Sequence, residues 1–106
     1  KQLDIRRSSF EDIKEGMKCA AELNNTYLSM DTSTVPKLGL KTGTAETGQL
    51  GKDKQEIIHG WEVSFAPYDE PKIAMSVFIE NGGSGWKAGY ITRDFYKYAL
   101  GELEKK

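Results

Sequence analysis

Four consecutive residues, Lys41-Thr42-Gly43-Thr44, place an ammonium group, two hydroxyls and a glycine in one short stretch. With Gly39 also inside residues 37–46, this stretch makes a poor strand on propensity, because glycine weakens a strand and marks close approach by another backbone. That conflict makes it a candidate site. A second pattern, Ser84-Gly85-Trp86-Lys87, sets a serine three residues before a lysine, the relation in which an amine can take a hydroxyl proton for nucleophilic attack. His59 is the chain's one histidine. With no cysteine or second histidine near it in sequence, it reads as a packed or half-exposed strand residue rather than a base or ligand. Cys19 is the one cysteine, so no internal disulfide can form. Its neighbours Met17, Ala20 and Ala21 predict a buried, inert thiol. No grouping implies a metal ion or a cofactor.

Composition narrows the setting. A chain of 106 residues is one domain at most. With 38% apolar and 29% charged residues it reads as an ordinary globular segment. Fifteen basic residues against sixteen acidic ones create no broad field for nucleic acid or a membrane surface. No apolar run is long enough to span a bilayer, and no signal peptide is read. Because the chain starts at Lys1 rather than Met, it reads as a piece of a longer protein.

The elements that must position these residues follow from periodicity. Ser8-Ser9-Phe10-Glu11 reads as a capping box. Behind it, Ile13, Met17, Ala20 and Ala21 recur at helical spacing to about Leu23, with Asn24-Asn25 as the stop. Residues 24–37 read as a loop tethered by Tyr27, Leu28 or Met30. A short strand covers 37–46 and a polar connection covers 47–56. Residues 57–66 alternate, with Ile57, His59, Trp61, Val63 and Phe65 on one face and Ile58, Gly60, Glu62, Ser64 and Ala66 on the other. After a turn at 67–71, residues 72–80 alternate again with both faces largely apolar, which predicts helices on both sides of the sheet. Residues 81–85 break that strand. Ala88, Ile91, Phe95, Tyr98 and Leu103 then form one stripe of a last helix. The expected class is α+β: a three-stranded antiparallel sheet flanked by an N-terminal and a C-terminal helix.

Lys-Thr-Gly is one of the signatures of penicillin-binding proteins and class A β-lactamases. The longer string Lys41-Thr42-Gly43-Thr44-Ala45-Glu46 resembles the form typical of class B penicillin-binding proteins, in the β-lactamase-like superfamily. Residues 60–67 (Gly-Trp-Glu-Val-Ser-Phe-Ala-Pro) look like that family's next strand, and residues 71–81 like the strand after it. Gly82-Gly83-Ser84-Gly85 is similar to the loop before its final helix, and Glu15-Gly16-Met17 fits its first. The chain departs in three places. Leu40 stands where the family usually has glycine, residues 24–37 lack a Gly-Thr-Ala string, and Glu62 follows Trp61 where an aromatic is common.

The resemblance implies that residues 1–106 are the C-terminal portion of a transpeptidase domain. It further implies that the parent cross-links peptidoglycan stem peptides through an acyl-serine and binds β-lactams. The Thr44 N–H would then be one oxyanion donor. Thr42 and Thr44 would hold the substrate carboxylate, aided by the Lys41 charge, and Gly43 would admit the substrate backbone. In this family the nucleophile's Ser-x-x-Lys lies far upstream, so Ser84 reads as a loop serine, and no Ser-x-Asn occurs. The chain alone is therefore expected not to acylate. The implied partners are stem peptides, β-lactams and the rest of the same domain, with self-association through uncovered apolar sheet surface. The implied location is the extracytoplasmic side of the bacterial membrane. Two other readings are a catalytically silent β-lactam sensor and an unrelated α+β interaction module.

Overall fold

Alternation of side chains places one row of each strand against helices and the other row away from them. The computed structural model describes residues 1–28 and 37–104. In chain order it contains α1 (Arg7–Leu28), β1 (Gly39–Leu50), β2 (Glu56–Ala66), β3 (Ile73–Ile79), a 3-10 turn (Gly85–Lys87) and α2 (Ala88–Glu104). The three strands form one antiparallel sheet in the order β1-β2-β3, so the expected α+β class, with one three-stranded antiparallel sheet between two helices in the chain, holds.

Element boundaries differ from the sequence reading. The first helix begins at Arg7, where the Phe10 N–H donates to the Arg6 carbonyl, so Ser8 lies inside the first turn rather than at the cap. It also runs past Asn24-Asn25 to Leu28, since an asparagine costs a helix only a few tenths of a kcal/mol. The expected loop therefore loses residues 24–28, and its tether Met30 lies outside the described residues. The first strand continues to Leu50 across a register irregularity after Glu46. There the Thr47 hydroxyl donates to the Ile57 carbonyl at 2.6 Å and the Gly48 N–H donates to Glu56 Oε1 at 2.9 Å. What remains of the polar connection is a tight turn closed by Gly51 N–H to the Gln55 carbonyl.

The core joins both helices to one face of the sheet. Ala21 of α1, Leu38, Leu40 and Ala66 of the sheet region, and Tyr96 and Leu100 of α2 form one buried cluster. The row of β2 turned toward α2 is Gly60, Glu62, Ser64 and Ala66, all buried. The apolar row is the outer one, leaving Trp61, Val63 and Phe78 44–47% exposed. Trp61 packs on Phe78 across the strands at 4.4 Å between centroids. Helices thus do not cover both faces among the described residues.

Of the stripe expected on α2, Ala88 is buried as expected, and the side chain of Leu103 lies outside the described residues. Ile91, Phe95 and Tyr98 are exposed, whereas Thr92, Tyr96 and Leu100 join Ala88 on the buried side. The reason is polar pairing. Ser64 and Tyr96 share a buried hydrogen bond of 3.0 Å between their hydroxyls, and it fixes which side of α2 turns inward. Replacing Tyr96 by phenylalanine leaves the Ser64 hydroxyl buried and unpaired. It is expected to lower stability by about 1 kcal/mol in urea unfolding. The buried thiol expected of Cys19 is corrected as well: Cys19 is exposed, because it lies about half a turn from both Met17 and Ala21.

Candidate functional site

Lys41-Thr42-Gly43-Thr44 lies on β1, an outer strand of the sheet. In an antiparallel ladder the N–H and C=O of one residue point to the same side and alternate along the strand. The carbonyls of Ile58 and Ala66 accept from Gly83 and Lys72, on the β3 side of β2. The Ile57 carbonyl accepts from Thr47, on the β1 side. The odd residues of β2 therefore bond to β1, and their partners are Gly39, Lys41, Gly43 and Ala45. It follows that Leu40, Thr42, Thr44 and Glu46 turn their backbone N–H and C=O outward, where none of the described strands pairs with them.

This geometry divides the four motif residues into two pairs. Lys41 and Gly43 project their side positions onto the outer face with Trp61 and Val63, while Thr42 and Thr44 project toward α2. The Lys41 ammonium reaches back to the edge and donates to the Thr42 carbonyl at 2.7 Å. An added Cβ on Gly43 would meet only Trp61 Cβ, at an ordinary 3.5 Å. Thr44 is held from behind, where its Oγ1 accepts the Gly85 N–H at 3.1 Å. That hydroxyl keeps its own proton to donate. Its backbone N–H remains at the open edge.

The glycine run at 82–85 lies directly beneath this strand. A Cβ built on Gly85 would overlap the Gly43 carbonyl oxygen, and one on Gly60 would come within 3.4 Å of Ser84 and Gly85. Ser84 is exposed at the head of the 3-10 turn, with its carbonyl taken by the Lys87 N–H. Among the described residues no hydrogen bond joins its side chain to that of Lys87. The two belong to the turn whose Gly85 N–H supports Thr44. His59 accepts the Asn81 N–H on Nδ1 at 2.9 Å and meets the Phe78 ring edge-on. It therefore holds the turn that leaves β3. No grouping of His, Cys, Asp or Glu among the described residues could hold a metal ion.

One feature had no signal in the motif pattern. Glu62, the cross-strand partner of Thr42, is 1% exposed, and neither carboxyl oxygen has a hydrogen-bond partner. Burial pushes its pKa up, and the neighbouring Thr92 hydroxyl only partly offsets this. The Thr92 hydroxyl has a competing acceptor in the Ala88 carbonyl, at a long 3.4 Å. The sequence signal was the glutamate that stands where an aromatic is common.

Similarity to known proteins agrees with this layout. Peptidoglycan D,D-transpeptidase MrdA of Escherichia coli K12 is 29% identical over 107 aligned residues, covering 92% of this chain and 17% of the relative. MrdA of Acinetobacter baumannii is 35% identical over 69 residues, covering 57% of this chain and 10% of the relative. The chain thus spans less than a fifth of the curated relatives it matches. Among solved structures, penicillin-binding protein A from Mycobacterium tuberculosis, a ceftriaxone acyl-enzyme complex, superposes with a TM-score of 0.66 at 30% identity. That match covers 83% of this chain and 20% of the other. Penicillin-binding protein PBP2 of Helicobacter pylori, in complex with MreC, superposes with a TM-score of 0.73 at 25% identity, over 99% of this chain and 19% of that one. The penicillin binding protein transpeptidase domain matches residues 1–97, so the chain belongs to that family.

Proposed function

We propose that this chain is the C-terminal portion of a peptidoglycan D,D-transpeptidase domain and supplies its substrate-binding strand. The carrying observation is the open edge of β1, which turns the Thr44 N–H outward while Gly85 braces Thr44 from behind. A donor preset where charge develops on an acyl oxygen stabilises the transition state. A peptide laid along the same edge would add as a further strand. Among the described residues nothing demands a glycine at 43 on the outer face, which is consistent with a requirement set by a bound backbone. Lys41 brings a cation to the edge, suited to a carboxylate of the stem peptide or of a β-lactam.

The acylating serine belongs, on this reading, to another segment of the same domain. That segment would also cover Trp61, Val63 and Phe78. The domain would act on the extracytoplasmic side of the membrane, where peptidoglycan is assembled.

A fluorescent penicillin is expected to label the full-length protein covalently at a serine outside this chain, and to leave the isolated chain unlabelled. Lys41→Ala is expected to slow that labelling at least about tenfold, the weight of one charge-assisted hydrogen bond. Labelling at Ser84, or a Lys41→Ala rate equal to the parent's, would overturn the assignment. Labelling without turnover of stem peptides would point to a sensor instead.

A further inference from the structure

We propose that Glu62 is a proton-controlled latch between the sheet and α2, holding the back of β1 in place only while its carboxyl is neutral. Three observations on geometry carry this. The side chain is 1% exposed, both oxygens lack partners, and it sits between Thr42 on one neighbouring strand and Val77 on the other. Among the described residues, the groups placed against it carry no charge: its cross-strand partners Thr42 of β1 and Val77 of β3, and Thr92 and Tyr96 of α2. The Tyr96 hydroxyl is already engaged with Ser64. An ionised carboxylate left without a cation or donors in such a place is far costlier than a neutral one, so the group gives up its charge instead.

The sign follows from that. A carboxyl whose pKa is raised by folding binds its proton more tightly in the closed state than in the open one. Closure is then fully stable below the ordinary glutamate value of 4.5 and weakens as pH climbs from there through the raised value. What opens is α2. Its leading turn carries Gly85, whose N–H holds Thr44, so the Lys-Thr-Gly-Thr strand loses its brace along with the helix. This inference does not depend on the transpeptidase reading; it concerns the packing of the chain alone.

The test is hydrogen exchange, followed by mass spectrometry on peptides from β1, β2 and α2, in the intact protein that carries this chain. Rates are corrected for intrinsic exchange at each pH between about 4 and 8. Glu62→Gln keeps the shape and removes the ionisation, and Glu62→Leu is a second variant should the amide pack poorly. Wild-type protection is expected to fall relative to the variants by up to about tenfold per pH unit above 4.5. The three proteins should converge at the acid end. His59, on the opposite face, is common to all of them and cancels in the comparison. Protection curves that run parallel at every pH would overturn the proposal.

Discussion

On the proposed function, proline at position 44 is expected to slow acylation of the full-length protein by a penicillin about 10²–10³-fold while leaving the β1–β2 ladder paired. Proline removes one backbone donor, and its effect on a strand depends on where that donor points. At Thr44 the N–H points to the open edge, a place where a strand tolerates proline. The residue before it is Gly43, which adapts readily to the extended conformation that proline imposes on its predecessor. The substitution also discards the hydroxyl that accepts the Gly85 N–H. Thr44→Val isolates that loss, expected at about 0.5–1.5 kcal/mol of stability with a smaller fall in acylation than Thr44→Pro. Proline at Gly43 is the opposite control, since its N–H bonds toward β2 and the sheet itself should weaken. Stopped-flow acylation paired with thermal melts separates the three. A Thr44→Pro protein that acylates at the parental rate would remove Thr44 as an oxyanion donor.

Only half of that argument was legible in the sequence. The motif string identified the residues, and alternation identified β2 and β3, because a period of two survives any tertiary context. Which row turns inward did not follow from hydrophobicity. On β2 the outer row holds Trp61, Val63 and Phe65, and the row facing α2 holds Gly60, Glu62 and Ser64. The misplaced stripe on α2 has the same origin. The helix and the sheet meet through small residues and the Ser64–Tyr96 hydroxyl pair, and an apolarity pattern does not register such contacts. The direction of the Thr44 N–H was equally hidden. It depends on strand parity, which the pairings of Ile57, Ile58 and Ala66 reveal and residue type does not. Gly43 and Glu62 are two places where a local rule was broken, by a glycine in a strand and an acid in a core. Both lie at or directly beside the candidate site, where departures from local consistency are expected to gather.

Gly85→Ala is expected to be a damaging single methyl, because what it meets is backbone. Its Cβ would overlap the Gly43 carbonyl oxygen and lie 2.9 Å from the carbonyl carbon and nitrogen of the same residue. These are backbone atoms of a paired strand, so no side chain can swing aside to make room. Two relaxations remain, and each has a cost. If the turn at 82–85 backs away, the Gly85 N–H leaves Thr44 and the contact with Gly60 opens. If β1 moves instead, its pairing with β2 is strained. Overpacking of this kind costs typically 1–3 kcal/mol, and contact with backbone on one side places it near the upper end, about 3 kcal/mol. Function should suffer about as much as stability, because displacing a positioned group by about 1 Å can cost on the order of 10²-fold in rate, about 2.7 kcal/mol. Gly16→Ala is the matching control. It adds the same methyl to α1 with nothing within 4 Å, and should stabilise by about 0.5–1 kcal/mol. A Gly85→Ala protein with an unchanged melt and an unchanged acylation rate would mean that the strand is not braced from below. The Thr44 N–H would then owe its position to something other than the glycine turn.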